Sequence, residues 1–435
     1  MKEKTQKAPL QPNQESEEER RNRAIDRFIA GEKAGAISKA VGRSRAWFYQ
    51  TKARYQQNGR EGLKERSRAP GRVHNRTEAS VETAVVRVRK TILSGSDPEL
   101  RYASVGADTI AFELKRAGIK TPSRRTINRI LQRQQLVVPR VQHAKAREMP
   151  ADYPWPSAEQ ANAIHLFDFV TRSLVGGGRF YGCHLLDQKR RWPVVRLIVN
   201  KKVAAVSQFL VTSWQAIGLP TALQIDNDVV WRGSSSAPRT FSHILRLALY
   251  VGVEVLFTPP YTPKANAIIE SFNALWAENF WLRATFDSLH NVESELVHFE
   301  TTMRSRHPWP ELGGLTAAQI APDFQPTLLA QDFLIHQQTR IPLTAGRLHF
   351  VRFVEADGSF SLLNESWSLD PHHWAGKTIR ATLDIQQQQL SIFHQSSRTA
   401  IPALIAHFAY AIDETVQPLQ SNFKRPRSQL WLPHS

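Results

Sequence analysis

Three carboxylates stand in company that ordinary packing does not explain. Asp168 interrupts the apolar run IHLFDFV, residues 164–170, where every neighbour except His165 is apolar. A charge buried in such a run is costly unless it is paired or coordinated. Asp226 ends the short run LQID within LQIDNDVVWRG, residues 223–233, although a plain turn needs only one of Asp226, Asn227 and Asp228. Glu270 opens the helical segment IIESFNALWAENF. Acids drawn together from such distant stretches repel one another, and a cation is the usual remedy. Carboxylate oxygens suit hard ions, so Mg²⁺ or Mn²⁺ is the expected partner. Two ions roughly 3.5–4 Å apart can activate water or a hydroxyl on one side of a phosphodiester and stabilise the leaving oxygen on the other. In this reading Asp226 is a metal ligand, Asn227 orients it or contacts substrate, and Asp228 begins the loop. The competing reading is three satisfied structural acids.

Other candidates have plainer explanations. Asp187, in HLLDQKRRW, has basic neighbours and reads as a structural turn or salt bridge, and Glu278, eight residues after Glu270, reads as solvated. The adjacent pair His372-His373 reads as a polar turn. A single cysteine, Cys183, excludes an internal disulfide, and no Cys/His cluster has the spacing of a structural zinc site.

The elements that must position the acids are short apolar strands alternating with helices. AIHLFDFV, FYGCHLLDQ and WPVVRLIVN read as consecutive strands, followed by the helix KKVAAVSQFLVTSWQAIG, the strand TALQID, the helix FSHILRLALYVG and the strand VEVLFTPP. That order predicts an α/β domain over 161–325, a mixed sheet covered by helices. Asp168 falls on a central strand, Asp226 at the end of a neighbour, and Glu270 on a helix able to cross nearby. From Thr339 the texture becomes β, with Asp357-Gly358 as a hairpin turn. The segment 401–435 ends in the basic stretch SNFKRPRSQLWLPHS, expected to be a disordered tail that contacts DNA or another subunit.

Composition limits what the whole can be. The chain has 435 residues and a net charge of +18, with 41% hydrophobic and 22% charged residues, as folded proteins have. No apolar run reaches the roughly 18–20 residues of a membrane span, and the N-terminus lacks a signal-peptide core, so a cytoplasmic, nucleoid-associated protein is expected. Charge placement is more informative. Residues 1–150 carry 33 Lys and Arg against 16 Asp and Glu, leaving 24 against 23 for the other 285. A basic module joined to a near-neutral body suggests a polyanion-binding arm, most simply for double-stranded DNA.

The pattern within that arm is helical. Residues 1–16 read as disordered. Over 17–76, three short helices with Gly42 before the last predict a helix-turn-helix unit whose third helix, RAWFYQTKARYQQNG, offers Arg43, Arg45, Gln50, Lys52 and Arg54 to a major groove, with Phe48 and Tyr55 packed inward. A basic Pro/Gly linker lies within 59–77. Residues 77–140 repeat the pattern, and Ser123 caps a helix presenting Arg124, Arg125 and Arg129 on one side and Ile127, Ile130 and Leu131 on the other. Two such units would read a longer site than one. A proline-containing linker is expected over 141–160.

The order F-D-F, I-D-N, then PPYTPKANAIIESFN resembles the catalytic core of the DDE transposases of bacterial insertion sequences and of the related retroviral integrases. The resemblance implies a ribonuclease-H-like core with Asp168, Asp226 and Glu270 as the catalytic and metal-binding triad holding two Mg²⁺ or Mn²⁺ ions. It also places Lys264 and Asn266, in the turn before the third acid, on DNA. HPWPELGGLTAAQIAP, 307–322, is similar to the family's closing segment, and the β-rich stretch over 335–400 to the small barrel that follows the core in many members. The implied function is terminal-repeat binding, metal-dependent 3′-end cleavage and strand transfer, by at least a dimer on DNA. The alternatives are a non-catalytic DNA-binding regulator and a nuclease of the same fold. This chain departs from the family's usual glycines with D-N-D and N-A, and WRGSSSAPRT, 231–240, reads as an insertion between the second and third acids.

Overall fold

Ser16 accepts a hydrogen bond from the Glu19 amide while the Glu19 side chain accepts one from the Ser16 amide, and this reciprocal cap starts helix α1, Glu17–Ile29. Helix α2, Ala34–Val41, stops at Gly42, whose φ of 64° is left-handed. Ser44 then caps α3, Arg45–Asn58. Ala24, Ile37, Val41 and Phe48 close the shared core, with Phe28 edge-on to Phe48 at 5.9 Å. These helices and the 3-10 turn Gly59–Leu63 make one compact unit, and a second begins at Thr77. A computed structural model describes residues 15–65, 76–137, 148–231, 233–234, 236–333 and 340–431. The N-terminus as far as residue 14, for which disorder is the expectation, most of the basic Pro/Gly linker and the first part of the 141–160 linker lie outside the described residues. Glu15 and Ser16, expected to be disordered, instead belong to the start of α1, because Ser16 supplies its cap.

The second unit opens with α4 (Ala79–Ser94), α5 (Ala107–Arg116) and α6 (Arg124–Arg133), packed around Val85, Ile110, Leu114, Ile127 and Leu131. Its central sheet follows. Strands β1 (Ile164–Ser173), β2 (Arg179–Asp187) and β3 (Pro193–Ile198) run antiparallel. Helix α7 (Val203–Ile217) leads to β4 (Ala222–Ile225), parallel to β1, and α8 (His243–Tyr250) leads to β5 (Glu254–Phe257), parallel to β4. Helices α9 (Ala267–Asn279) and α10 (Leu289–Arg306) come next, then a short pair, β6 (Pro308–Trp309) and β7 (Leu315–Thr316). Alternation along β1 assigns the two faces: Phe167 packs with Leu210 and Trp214 of α7, whereas Leu166 and Val170 pack with Ile269, Phe272 and Trp276 of α9. The mixed sheet with helices on both faces is the α/β core expected from the sequence. Asp187 is fully buried and accepts the amides of Asn162, Lys189 and Arg190, which makes it a structural turn residue.

The C-terminal strands join this same sheet. β8 (Arg347–Phe353) pairs in parallel with β5, β9 (Ser359–Leu362) and β10 (Glu365–Ser368) form a hairpin, and the one-turn helix α11 (Pro371–Trp374) precedes β11 (Thr378–Asp384), β12 (Gln389–His394) and β13 (Ala403–Ala409). The sheet order is β13-β12-β11-β8-β5-β4-β1-β2-β3. Among the described residues the strands of the barrel expected over 335–400 instead extend the core sheet, joined in parallel at β5–β8 and antiparallel from β8 to β13, because β8 satisfies the backbone groups that β5 would otherwise leave open at an edge. In α11, His373 bonds to Asp370 at 2.7 Å, a polar turn as expected.

Two further expectations are corrected. Tyr153, in the stretch taken as a linker, is buried against Ala265 and Val351, and Asp152 accepts the Thr378 amide at 2.9 Å. The tail taken as disordered is seated as far as Trp431. Arg425 donates to the carbonyls of Val251 and Gly252, Arg427 pairs with Glu254 at 2.7 Å, and Leu430 is buried. Arginines expected to contact DNA or another subunit are here donors to carbonyls and a carboxylate of the same chain that burial would otherwise leave bare. Among the described residues no helix is long and apolar enough to cross a membrane.

Candidate active site

The parallel register that pairs Leu166 with Gln224 brings Asp168, in the middle of β1, level with Asp226, just past the end of β4, each two residues further on. Asp168 shares its face of β1 with Leu166 and Val170, the face that α9 covers. Glu270 lies in the first turn of α9, and Asn273 follows one turn later. Asp168, Asp226 and Glu270 line a single cavity of about 520 Å³, with Asn227, Asp228, Asn266, Arg352 and residues 361–364 among the other walls.

The carboxylates are held unequally. Asp168 accepts the Phe169 amide at 2.8 Å and the Asn273 side-chain amide at 2.7 Å. Burial, with repulsion from Glu270 and Asp226 added, pushes its carboxyl up to about 6. Asp226 accepts the Trp231 indole and the Asp228 amide, both at 3.0 Å, and burial followed by the Asp228 charge raises it above the usual carboxylate range. Glu270 is exposed and, of the three, is the one without a hydrogen bond among the described residues. The donor set is oxygen only, and two of its members are strained by like charge, which fits a hard divalent cation. As the side chains stand, no three Asp, Glu, His or Cys groups among the described residues gather closely enough to hold one ion.

The D-N-D and N-A departures have local causes. Asp228 is absent from the positive-φ residues, and Ala267 has φ −52° and ψ −32° as the first residue of α9, so neither position needs glycine. Burial works to raise Asp228, but the Lys201 ammonium at 2.7 Å prevails and holds it low. Asn227 bonds through Nδ2 to the Thr258 carbonyl at 2.6 Å and through Oδ1 to Arg352 at 3.0 Å, so it ties the ends of β4 and β5 together.

The residues assigned to DNA are distributed over three places. On α3, Arg45 and Gln50 are exposed, Lys52 lies 4.2 Å over the Phe28 ring, and Arg54 donates to the Lys64 carbonyl. Arg43, just ahead of that helix, is exposed and pairs with Glu17. Phe48 is buried and Tyr55 half-buried. On α6, Arg124, Arg125 and Arg129 are exposed opposite buried Ile127, Ile130 and Leu131, and Arg124 reaches Asp108 at 3.4 Å. Lys264 and Asn266 occupy the 3-10 turn before α9. Asn266 is buried with its Oδ1 accepting from Gln224 at 2.8 Å, and Lys264 is half-buried.

Four participants were not singled out from the sequence. Asn273, Trp231 and Lys201 hold Asp168, Asp226 and Asp228, and Arg352 lines the cavity from β8. Asn273 also accepts from His184 Nδ1 at 2.7 Å, and burial pushes that imidazole down to about 4, which keeps it neutral. Only Asn273 left a readable signal, being three residues after Glu270 and so on the same helix face.

Comparison with known proteins gives two results. Residues 15–64 match the family model of a homeodomain-like domain. Among solved structures, the HTLV-2 integrase catalytic core domain in complex with magnesium is 12% identical with a TM-score of 0.30, over 38% of this chain and 99% of that one. The simian T-cell lymphotropic virus intasome is 11% identical with a TM-score of 0.33, over 69% and 91%. The catalytic core domain of BIV integrase is 13% identical with a TM-score of 0.28, over 37% and 95%.

Proposed function

We propose that this protein is a DNA transposase of the DDE type, with Asp168, Asp226 and Glu270 as its catalytic carboxylates. The observation that carries the reading is the delivery of three acids, from β1, the end of β4 and the start of α9, to one cavity. The homeodomain-like unit at 15–64 and the basic face of α6 would hold the terminal repeats of a mobile element. Phosphate contacts from these helices would fix register, and base contacts would select sequence.

Asp168, Asp226 and Glu270 would hold two Mg²⁺ or Mn²⁺ ions, with the exposed Glu270 side chain turning inward to complete the donor set. When bound, the metal supplies Lewis acidity for a water or hydroxyl nucleophile and for the leaving oxygen. The chain's own contribution is positional. Asn273 and the Phe169 amide fix Asp168, Trp231 and the Asp228 amide fix Asp226, and Asn227 keeps the two strand ends in register. Hydrolysis of one phosphodiester would expose a 3′-hydroxyl, whose in-line attack on target DNA needs no covalent enzyme intermediate. Acting on two element ends together calls for at least a dimer.

The test is a strand-transfer assay with Mg²⁺ or Mn²⁺ on a DNA fragment made of the segments that border the gene, which this reading expects to carry inverted repeats. Wild type should yield joined products, and Asp226→Asn should lose them by 100-fold or more, on the order of what removing an essential electrostatic group costs, while still shifting the fragment in a gel. Binding by wild type without nicking or joining under either ion would reject the enzyme reading in favour of a DNA-binding regulator. Nicking without joining would indicate a nuclease.

A further inference from the structure

Part of the cavity wall comes from the C-terminal strands. Arg352, on β8 and 7% exposed, donates from Nε to the Ser361 carbonyl at 2.8 Å, from Nη1 to the Thr258 carbonyl at 3.3 Å and from Nη2 to Asn227 Oδ1 at 3.0 Å. One planar guanidinium thereby joins the β9–β10 hairpin, the end of β5 and the residue next to Asp226. Its fork gives it fixed directions that a lysine ammonium does not have.

The hairpin is itself immobilised. Leu363 and Asn364 form its turn with φ of 46° and 61°, the left-handed pair a two-residue hairpin requires. Leucine adopts that conformation at a cost, and such strain persists where surrounding contacts over-determine it. Here they do: Leu363 is buried, Asn364 Nδ2 donates to the carbonyls of Ser234 and Ala237, and Glu365 takes both Nε and Nη2 of Arg239 at 2.9 and 2.6 Å. The insertion between the second and third acids therefore serves as an anchor for the hairpin. Ser361, Leu362, Leu363 and Asn364 face the cavity from this clamped position.

We propose that Arg352 is a positioning residue of the catalytic centre, holding Asp226 in place through Asn227 while fixing the β9–β10 hairpin as part of the cavity wall. The C-terminal strands are then part of the active site and not an appendage. The catalytic consequence rests on the transposase reading, but the placement of Asp226 does not, and the Trp231 indole that donates to Asp226 reports on it directly.

The experiment compares Arg352→Ala and Arg352→Lys with Arg425→Ala, which removes a half-buried guanidinium that caps carbonyls at the opposite end of β4 and β5. Three quantities are measured in the full chain: the Trp231 indole N–H resonance, assigned with Trp231→Phe; Mn²⁺ affinity by water-proton relaxation; and nicking of supercoiled plasmid. Both Arg352 variants should move the indole resonance, weaken Mn²⁺ binding about tenfold and lower nicking about 100-fold, and Arg425→Ala should leave all three within twofold even where it lowers thermal stability as much. An unmoved resonance in the Arg352 variants overturns the proposal. So does a full rescue by lysine, or an equal change in Arg425→Ala. Should wild type neither bind Mn²⁺ nor nick, the transposase reading fails, and the resonance still decides the positioning role. If Arg352→Ala does not fold, Arg352→Lys carries the comparison.

Discussion

At the scale of single residues, the site is a set of charges held against their preference. Asp168, with an ordinary value of 3.8, is pushed to about 6 in the folded chain. A raised carboxyl costs stability when it ionises: the penalty is absent below pH 3.8, grows between the two values and is complete above about 6. Without divalent metal, stability should therefore fall as pH rises through this window. Asp168→Asn should remove that slope and be more stable than wild type at pH 7.5 by on the order of 2 kcal/mol, with the two equal near pH 4. Urea titrations at several pH values would check it. Added Mg²⁺ should raise the wild-type midpoint at pH 7.5 and leave that of Asp168→Asn nearly unchanged; a wild-type midpoint indifferent to Mg²⁺ and Mn²⁺ would count against cation binding here. Asp228 is the opposite case, a carboxylate with its own cation. Asp228→Gly would supply the glycine usual in the transposases whose motifs this sequence resembles and yet lose the Lys201 pair, 26% exposed on the aspartate side, without meeting any demand for positive φ. It should lower stability by about 1 kcal/mol, visible as a shift in urea midpoint.

At the scale of elements, legibility followed sequence distance. Asp168 was readable because a charge inside an apolar strand has few innocent explanations, and Asp226 because D-N-D exceeds what a turn needs. The helices of the first 140 residues were readable because their caps, Ser44 and Ser123, sit where the apolar period begins. Arg352 was not readable, since its partner Asn227 lies 125 positions away and a basic residue in an alternating strand looks solvated. Period-two alternation likewise reveals the C-terminal strands and not their neighbours, so it does not distinguish a sheet extension from a barrel. The α6 helix carries its own test. Its basic face is exposed, and Arg125 and Arg129 lie beside Arg124, whose contact with Asp108 is a loose 3.4 Å. The double variant Arg124→Ala/Arg125→Ala should weaken binding to double-stranded DNA from the borders of the gene about 10- to 100-fold and flatten its salt dependence by roughly two phosphate contacts. Gel shifts at several salt concentrations would show it, and unchanged binding would remove α6 from the DNA interface.

At the scale of the molecule, residues 77–431 behave as one body whose parts are joined by buried ion pairs. Arg306 of α10 pairs with Glu113 of α5 at 3.4 Å, with side chains 9% and 7% exposed, and also with Glu99, while the Tyr102 hydroxyl meets Glu295 at 2.5 Å. The α4–α6 triplet is thereby fixed to the core. The tail repeats this device at the start of β5. Glu254 is buried, and although burial alone would raise it, His349, Arg347 and Arg427 hold it down to about 2. A depressed carboxyl contributes stability that is present above its ordinary value of 4.5 and is lost as pH falls toward 2. Ending the chain after Lys424 would remove Arg427 from Glu254, Arg425 from the carbonyls of Val251 and Gly252, and Leu430 from the face that α9 covers. Breaking one buried pair of this kind typically costs about 3–5 kcal/mol. The shortened chain should thus unfold at lower urea, and its acid transition should begin at higher pH, because Glu254 would protonate earlier with one cation gone. Helices α1–α3 form their own unit, so their melting should not change. Circular dichroism on the two chains separates these outcomes: an unaltered acid transition would mean that Arg427 contributes nothing to holding Glu254 ionised, and that the tail is seated by its apolar residues alone.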